Sequence, residues 1–202
     1  MEIYTEQWKK SSIISNSIIS NNFIINQEKK IVDSDMIYGY KFKSDENDLL
    51  NSLLNGYLNL NSNSNSINID NRRFVFTANP TKQNELSNNI NDWDVGQITD
   101  MSNLFINIQD FNENIGSWDV SAVTDMSNMF QSTTKFDQDI GGWDVSNVTN
   151  MSNMFHSAKV FNQDIGGWDV SKVTDMSNMF QSANEFDQDI GGWDVSNVTN
   201  MS

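Results

Sequence analysis

The sequence predicts an α/β repeat: a solenoid with one short parallel strand and one short helix per 25-residue unit, preceded by a less regular N-terminal region. Three observations predict it. Trp93, Trp118, Trp143, Trp168 and Trp193 stand 25 residues apart, each followed by Asp. Around them the pattern Trp-Asp-Val-Ser-x-Val-Thr-Asp/Asn-Met-Ser-Asn-Met-Phe recurs in register. Within each unit, apolar residues fall at i, i+3, i+4 and i+7, the spacing of one helix face.

That spacing is carried by Met126, Met129, Phe130 and Thr133, by Met151, Met154, Phe155 and Ala158, and by Met176, Met179, Phe180 and Ala183. Just before each set stand Thr124-Asp125, Thr149-Asn150 and Thr174-Asp175, whose side-chain oxygens can accept the free N–H groups of a helix start. The strand is expected at Trp143-Asp144-Val145 and its equivalents, with Trp and Val on one side and Asp on the other. The expected core is therefore the five tryptophans with Met126, Met151, Met176, Phe130, Phe155 and Phe180. The indoles read as core and not as a stacking platform for ligands, because they are in phase with the buried Val.

Before the array the sequence is less regular. Residues 1–73 form an irregular region, 74–92 an N-terminal cap, and 93–202 four full repeats plus a partial fifth. In the first region, Ser44-Asp45-Glu46 followed by Leu49, Leu50, Leu53 and Leu54 predicts a short helix ending near Gly56. Tyr38, Tyr40 and Phe42 alternate as in a strand, and residues 59–66 read as a linker. Ile67-Asn68-Ile69 and Phe74-Val75-Phe76 suit a loose hairpin. Leu86 and Ile90 precede Trp93 as Phe111 and Ile115 precede Trp118, so the pattern begins in the cap. The fifth unit stops at Ser202, which leaves Met179, Phe180 and Phe186 without their expected neighbours. The expectation is a fragment of a longer array, or an end that something else covers.

A net charge of −15, with basic residues in no group larger than Lys9-Lys10, Lys29-Lys30 and Arg72-Arg73, disfavours nucleic acid and anionic membranes as partners. The absence of cysteine excludes disulfides, thiolate metal sites, cysteine nucleophiles and a lipid-bearing N-terminal Cys. Residues 1–30 lack the pattern of a signal peptide, and no stretch has the length of a membrane span, which leaves the compartment open. No nucleophile–base pair or phosphate-binding glycine loop is visible, so no enzyme activity and no cofactor are expected.

Asp94, Asp119, Asp144, Asp169 and Asp194 form a column in which stacked carboxylates repel. One reading is a row of calcium ions, with Asn114, Asp139, Asp164 and Asp189 as further oxygens. The other, favoured because the glycine-rich nonapeptide of calcium solenoids is missing, is that each Asp accepts N–H bonds from its own Val-Ser turn. His156, the only histidine, is replaced by Gln131 and Gln181 in neighbouring units, which argues against proton transfer. Asn147-Val-Thr149 and Asn150-Met-Ser152 match glycosylation acceptors but belong to the repeat. A binding surface is expected where units differ: Gln97, Ala122, Asn147 and Lys172 after the strand, and Gln109, Thr134, Lys159 and Asn184 after the helix.

Trp118 to Phe130, with the following Phe136-Asp-Gln-Asp-Ile140, resembles the 25-residue repeat of BspA-like leucine-rich-repeat surface proteins, a family that includes mycoplasma surface lipoproteins. The resemblance covers about residues 81–202. It implies a leucine-rich-repeat-like solenoid acting in adhesion or protein–protein contact at a cell surface, with no catalytic residues to transfer. The missing signal peptide and anchor Cys depart from that family. The expected function is thus a non-enzymatic interaction or adhesion module with a protein partner. Alternatives are end-to-end self-association through the open C-terminal edge, a calcium-dependent module, or a truncated gene fragment.

Overall fold

Four leucines at helical spacing build the first helix among the described residues. Helix α1 (Asn47–Leu58) buries Leu49, Leu50, Leu53 and Leu54 on one face. The computed structural model describes residues 40–60, 66–69, 72–77 and 85–202; the chain divides into units 1–36 and 37–202, the first outside the described residues. Glu46 precedes the helix, its carboxylate accepting the Tyr40 hydroxyl at 2.7 Å and the Lys43 N–H at 3.1 Å. The helix runs two residues past the stop expected at Gly56, because a helical glycine costs only about 1 kcal/mol. It closes where Leu60 N–H meets Tyr57 O and the Asn59 amide reaches back to Asn55 O.

Strand β1 (Ser66–Ile69) pairs antiparallel with β2 (Arg72–Thr77), Ile67 opposite Phe74, as the hairpin pattern suggests. β2 then pairs in parallel with β3 (Glu85–Ser87), giving the order β1-β2-β3. Tyr38 and linker residues 61–65 lie outside the described residues. Tyr40 and Phe42 form no strand; Lys41 makes one parallel bridge to Asp94, and Phe42 N–H donates to Asp94 O. A 3-10 turn (Ile90–Asp92) leads into the first tryptophan. Phe42, Leu86, Ile90 and the α1 leucines share one buried cluster with Trp93. The helix read from sequence as part of the irregular region therefore packs with the array, inside unit 37–202. The Phe42 ring stacks on Trp93 with centroids 6.1 Å apart, and Tyr57 meets Trp93 edge-on at 5.6 Å. These rings cover the first coil.

From residue 93 onward the chain winds in 25-residue coils that differ in two respects from expectation. No helix forms at Met126–Thr133 or its equivalents, which are runs of turns. No strand forms at Trp-Asp-Val, where Asp94 alone makes a bridge, to Lys41; from coil to coil the parallel bridges link Asp100, Asp125, Asn150, Asp175 and Asn200. The reason lies in the backbone. Asn128 and Ser132 have φ of 56° and 60°, as do Asn103 and Asn107, Asn153 and Ser157, and Asn178 and Ser182 within a few degrees. A left-handed residue every fourth position forbids a helix, and Asn tolerates that region better than most.

Alternate N–H groups then take different partners. Met129, Gln131 and Thr133 bond to carbonyls three residues back in their own coil. Met126, Asn128, Phe130 and Ser132 donate instead to Asn150, Ser152, Met154 and His156 of the next coil, at 2.8–3.0 Å. The same links repeat from Met101 and from Met151. Successive tight turns bring every third or fourth side chain inward, which is why the apolar pattern imitates a helix. The peptide groups of neighbouring coils satisfy each other along the stack, as buried backbone must.

The side chains inside follow the same period. Trp93, Trp118, Trp143 and Trp168 are at most 4 % exposed, and Met126, Met151, Phe130 and Phe155 are fully buried. Phe105, Phe130, Phe155 and Phe180 stack with centroids 5.4–5.7 Å apart, and each lies 4.0–4.2 Å from a second ring (Phe111, Phe136, Phe161, Phe186). Each indole N–H is also bound: Trp118, Trp143, Trp168 and Trp193 donate to Ile90, Ile115, Ile140 and Ile165 O at 2.8–3.2 Å. At the last coil Met176 stays buried, whereas Phe180, Phe186, Ile190 and Trp193 are half-buried, and Phe180, Ile190 and Trp193 line an open pocket of about 660 Å³.

Candidate functional site

The outer surface of the array is a set of columns in which equivalent residues of successive coils lie side by side. In the tryptophan-flanking column, Asp119 Oδ1 accepts Ser121 N–H at 3.1 Å and Ser121 Oγ–H at 2.6 Å. Asp144, Asp169 and Asp194 hold Ser146, Ser171 and Ser196 N–H in the same way, at 3.0–3.1 Å. Asp94 has Gly96 two residues on where the others have Ser, and pairs with Lys41 at 3.2 Å. The additional oxygens weighed for calcium are engaged likewise: Asn114, Asp139, Asp164 and Asp189 accept Gly116, Gly141, Gly166 and Gly191 N–H at 2.9–3.0 Å. Among the described residues no three His, Cys, Asp or Glu side chains converge as a metal site requires.

These turns explain an electrostatic pattern. Asp144, Asp169 and Asp194 are held below the usual carboxylate range, first by the hydroxyl of the following serine and then by its N–H. Asp175 is lowered in the same way by Ser177. A carboxylate with a depressed folded pKa adds stability above its unfolded pKa of about 3.9, and that stability fades as pH falls through the folded value. The melting temperature should therefore stay level from pH 7 to about 5 and decline below about pH 4. A variant with Ser146→Ala, Ser171→Ala and Ser196→Ala, which removes the largest cause, should show a shallower decline; an identical acid profile would contradict this origin.

A glycine beside this column has a separate reason. Gly116, Gly141 and Gly166 sit where the next coil crosses: a Cβ there would lie 2.4–2.6 Å from the backbone oxygens of Asp139, Asp164 and Asp189. Gly142 and Gly167, one residue on, face open space.

Of the residues expected to form a binding surface, Gln97, Asn147, Lys172, Gln109, Lys159 and Asn184 are exposed, and Ala122 and Thr134 are half-buried. The structure brings each set together along the stack. Lys172 Nζ donates to Asn147 Oδ1 at 2.7 Å, and Asn147 Nδ2 donates to Ser121 O at 2.8 Å, which occupies the amide of that glycosylation pattern. Thr134 Oγ1 donates to Gln109 O. The two sets lie 12 residues apart along each coil, and no hydrogen bond or ion pair joins them among the described residues. His156 rests against Gln131, Nδ1 to Nε2 at 3.2 Å.

The family model described as "Mycoplasma protein of unknown function, DUF285" matches residues 70–171 and again residues 138–202. The chain belongs to the DUF285 family. No curated protein and no solved structure matches it. The matched residues begin between β1 and β2 and take in every coil. Among the described residues of this DUF285 protein no helix is long and apolar enough to cross a membrane.

Two features escaped the sequence reading. One is the Gly141-type crossing, which the recurring Gly-Gly pair signalled without showing which glycine is needed. The other is the column Asn112, Asp137, Asn162 and Asp187. Each of the first three accepts the backbone N–H of the residue 25 positions on, at 2.9–3.0 Å, together with a Gln amide from the same coil. The recurring Phe-Asx-Gln was its signal.

Proposed function

We propose that the coil stack is a leucine-rich-repeat-like solenoid serving as a non-enzymatic protein-binding or adhesion module. The observation that carries this reading is the position between two buried anchors in each coil. Val120 and Val123, Val145 and Val148, and Val170 and Val173 are at most 1 % exposed, while the intervening residue changes from Ala122 to Asn147 to Lys172. A fixed frame presenting varied side chains in a row suits recognition of an extended protein surface, as in other repeat proteins. The resemblance to BspA-like surface repeats supports the same reading.

The partner is a protein that contacts Gln97, Ala122, Asn147 and Lys172, or Gln109, Thr134, Lys159 and Asn184. Amine cross-linking in the native cell, through Lys159 and Lys172, should join the chain to a common partner. Replacing the first set by Ser should weaken capture of that partner about tenfold or more, a loss of roughly 1.4 kcal/mol or more, with melting unchanged. Replacing the second set tests the other column separately. Undiminished capture by both variants would overturn the assignment.

A further inference from the structure

Residues 93–202 hold 16 acidic side chains against three lysines, so most of the chain's net charge sits on the coils. Stacked coils place equivalent residues side by side, and like charges directly opposite destabilise parallel backbones. Two columns avoid this and two do not. Asp125, Asn150, Asp175 and Asn200 alternate acid and amide; Asn112, Asp137, Asn162 and Asp187 do the same. By contrast Asp119, Asp144, Asp169 and Asp194 are acids throughout, as are Asp139, Asp164 and Asp189.

Burial and contact separate the two cases. The unbroken acid columns are exposed, and each carboxylate bonds within its own coil, so water and salt weaken, without abolishing, the repulsion of one for the next. In the alternating columns Asp125, Asn150, Asp175, Asp137 and Asn162 are half-buried, and the side chains reach across the coil boundary. Asn150 Nδ2 donates to Asp125 Oδ2 at 3.2 Å, and Asn200 Nδ2 to Asp175 Oδ2 at 3.3 Å. Asp137 Oδ1 accepts Asn162 N–H, and Asn162 Oδ1 accepts Asp187 N–H. In the first column the amide of every second coil supplies a donor to the carboxylate before it; in the second, Asp137 and Asn162 both accept a backbone N–H, and the amide there only replaces a second charge. The single acid–acid neighbour pair in these columns is Asp100 and Asp125, next to the capped end.

We infer that the coils are of two kinds, an acid kind (118–142 and 168–192) and an amide kind (143–167 and the coil begun at Trp193), and that Asn150 and Asn162 act as separators that fix which coil stacks on which. From Trp118 onward the period of these two columns is then 50 residues. There each coil of acid kind is followed by one of amide kind, so the alternation selects coil order and disfavours slippage by one repeat.

The test is a pair of variants of the full chain. N150D/N162D creates three acid coils in succession. Its melting temperature should fall by about 5 °C at low ionic strength. The gap to the parent should close as salt rises from about 10 mM to about 1 M, where the screening length drops from about 30 to about 3 Å. A second variant adds D125N, D137N, D175N and D187N to N150D/N162D, which inverts the alternation and separates the acids again; it should melt near the parent at low salt. If the first variant melts with the parent, if its deficit ignores salt, or if inversion fails to restore stability, the separators have no such role. Should the first variant fail to fold, recovery by inversion still decides the matter.

Discussion

Trp143→Ala is expected to lower the stability of the coil stack by about 3–5 kcal/mol, the range for deleting a large buried aromatic. Three losses combine. The indole is 4 % exposed, so its removal leaves a cavity between coils. Its ring packs on Phe130 at 6.3 Å. Its N–H is the donor to Ile115 O, and without it that buried carbonyl loses a partner. Denaturant unfolding should show the midpoint falling; an unchanged midpoint would contradict the packing described. Trp193→Ala, at a half-buried position in the last coil, should cost clearly less.

Gly141→Ala should destabilise by about 3 kcal/mol, the upper part of the usual overpacking range, although it adds a single methyl group. The new carbon would stand 2.4 Å from Asp164 O, a backbone atom held in the next coil, so the two coils must separate. Gly142→Ala is the matched control. Nothing lies within 4 Å of its would-be Cβ and its φ is not positive, so the same chemical change should leave stability level or raise it by about 0.5 kcal/mol. Equal melting temperatures for the two variants would refute the close crossing.

The sequence revealed the period and the core because both depend on side-chain type. Trp93, Trp118, Trp143, Trp168, Met126 and Phe130 are buried as their spacing suggests, and Leu49 to Leu54 lie on one face of the helix that their own spacing predicts. Secondary structure inside the coil was not legible. Met126 to Thr133 has the apolar period of a helix, and only backbone angles distinguish it: Asn128 and Ser132 adopt the left-handed region, and a pattern of apolar residues carries no information about φ. The strand placed at Trp-Asp-Val failed for a related reason. Alternation across Trp143, Asp144 and Val145 is real, but the parallel link forms at Asn150, where the side chain also caps Ser152 N–H at 3.0 Å. On the outer surface, Asp144 was legible as a turn acceptor from the Ser two residues on. The alternation of Asp125 with Asn150 acquires meaning only once neighbouring coils are known to touch there.

The coil stack is held by N–H groups that reach forward by one coil instead of back by one helical turn. A scalar coupling across the hydrogen bond of Phe130, measured by NMR on selectively labelled protein, separates these directly. The bond described here joins Phe130 N–H to Met154 O at 2.9 Å, so coupling to the Met154 carbonyl carbon is expected. Coupling to the carbonyl of Met126, four residues earlier, would mean a helix in each unit and would contradict the stacked-coil structure.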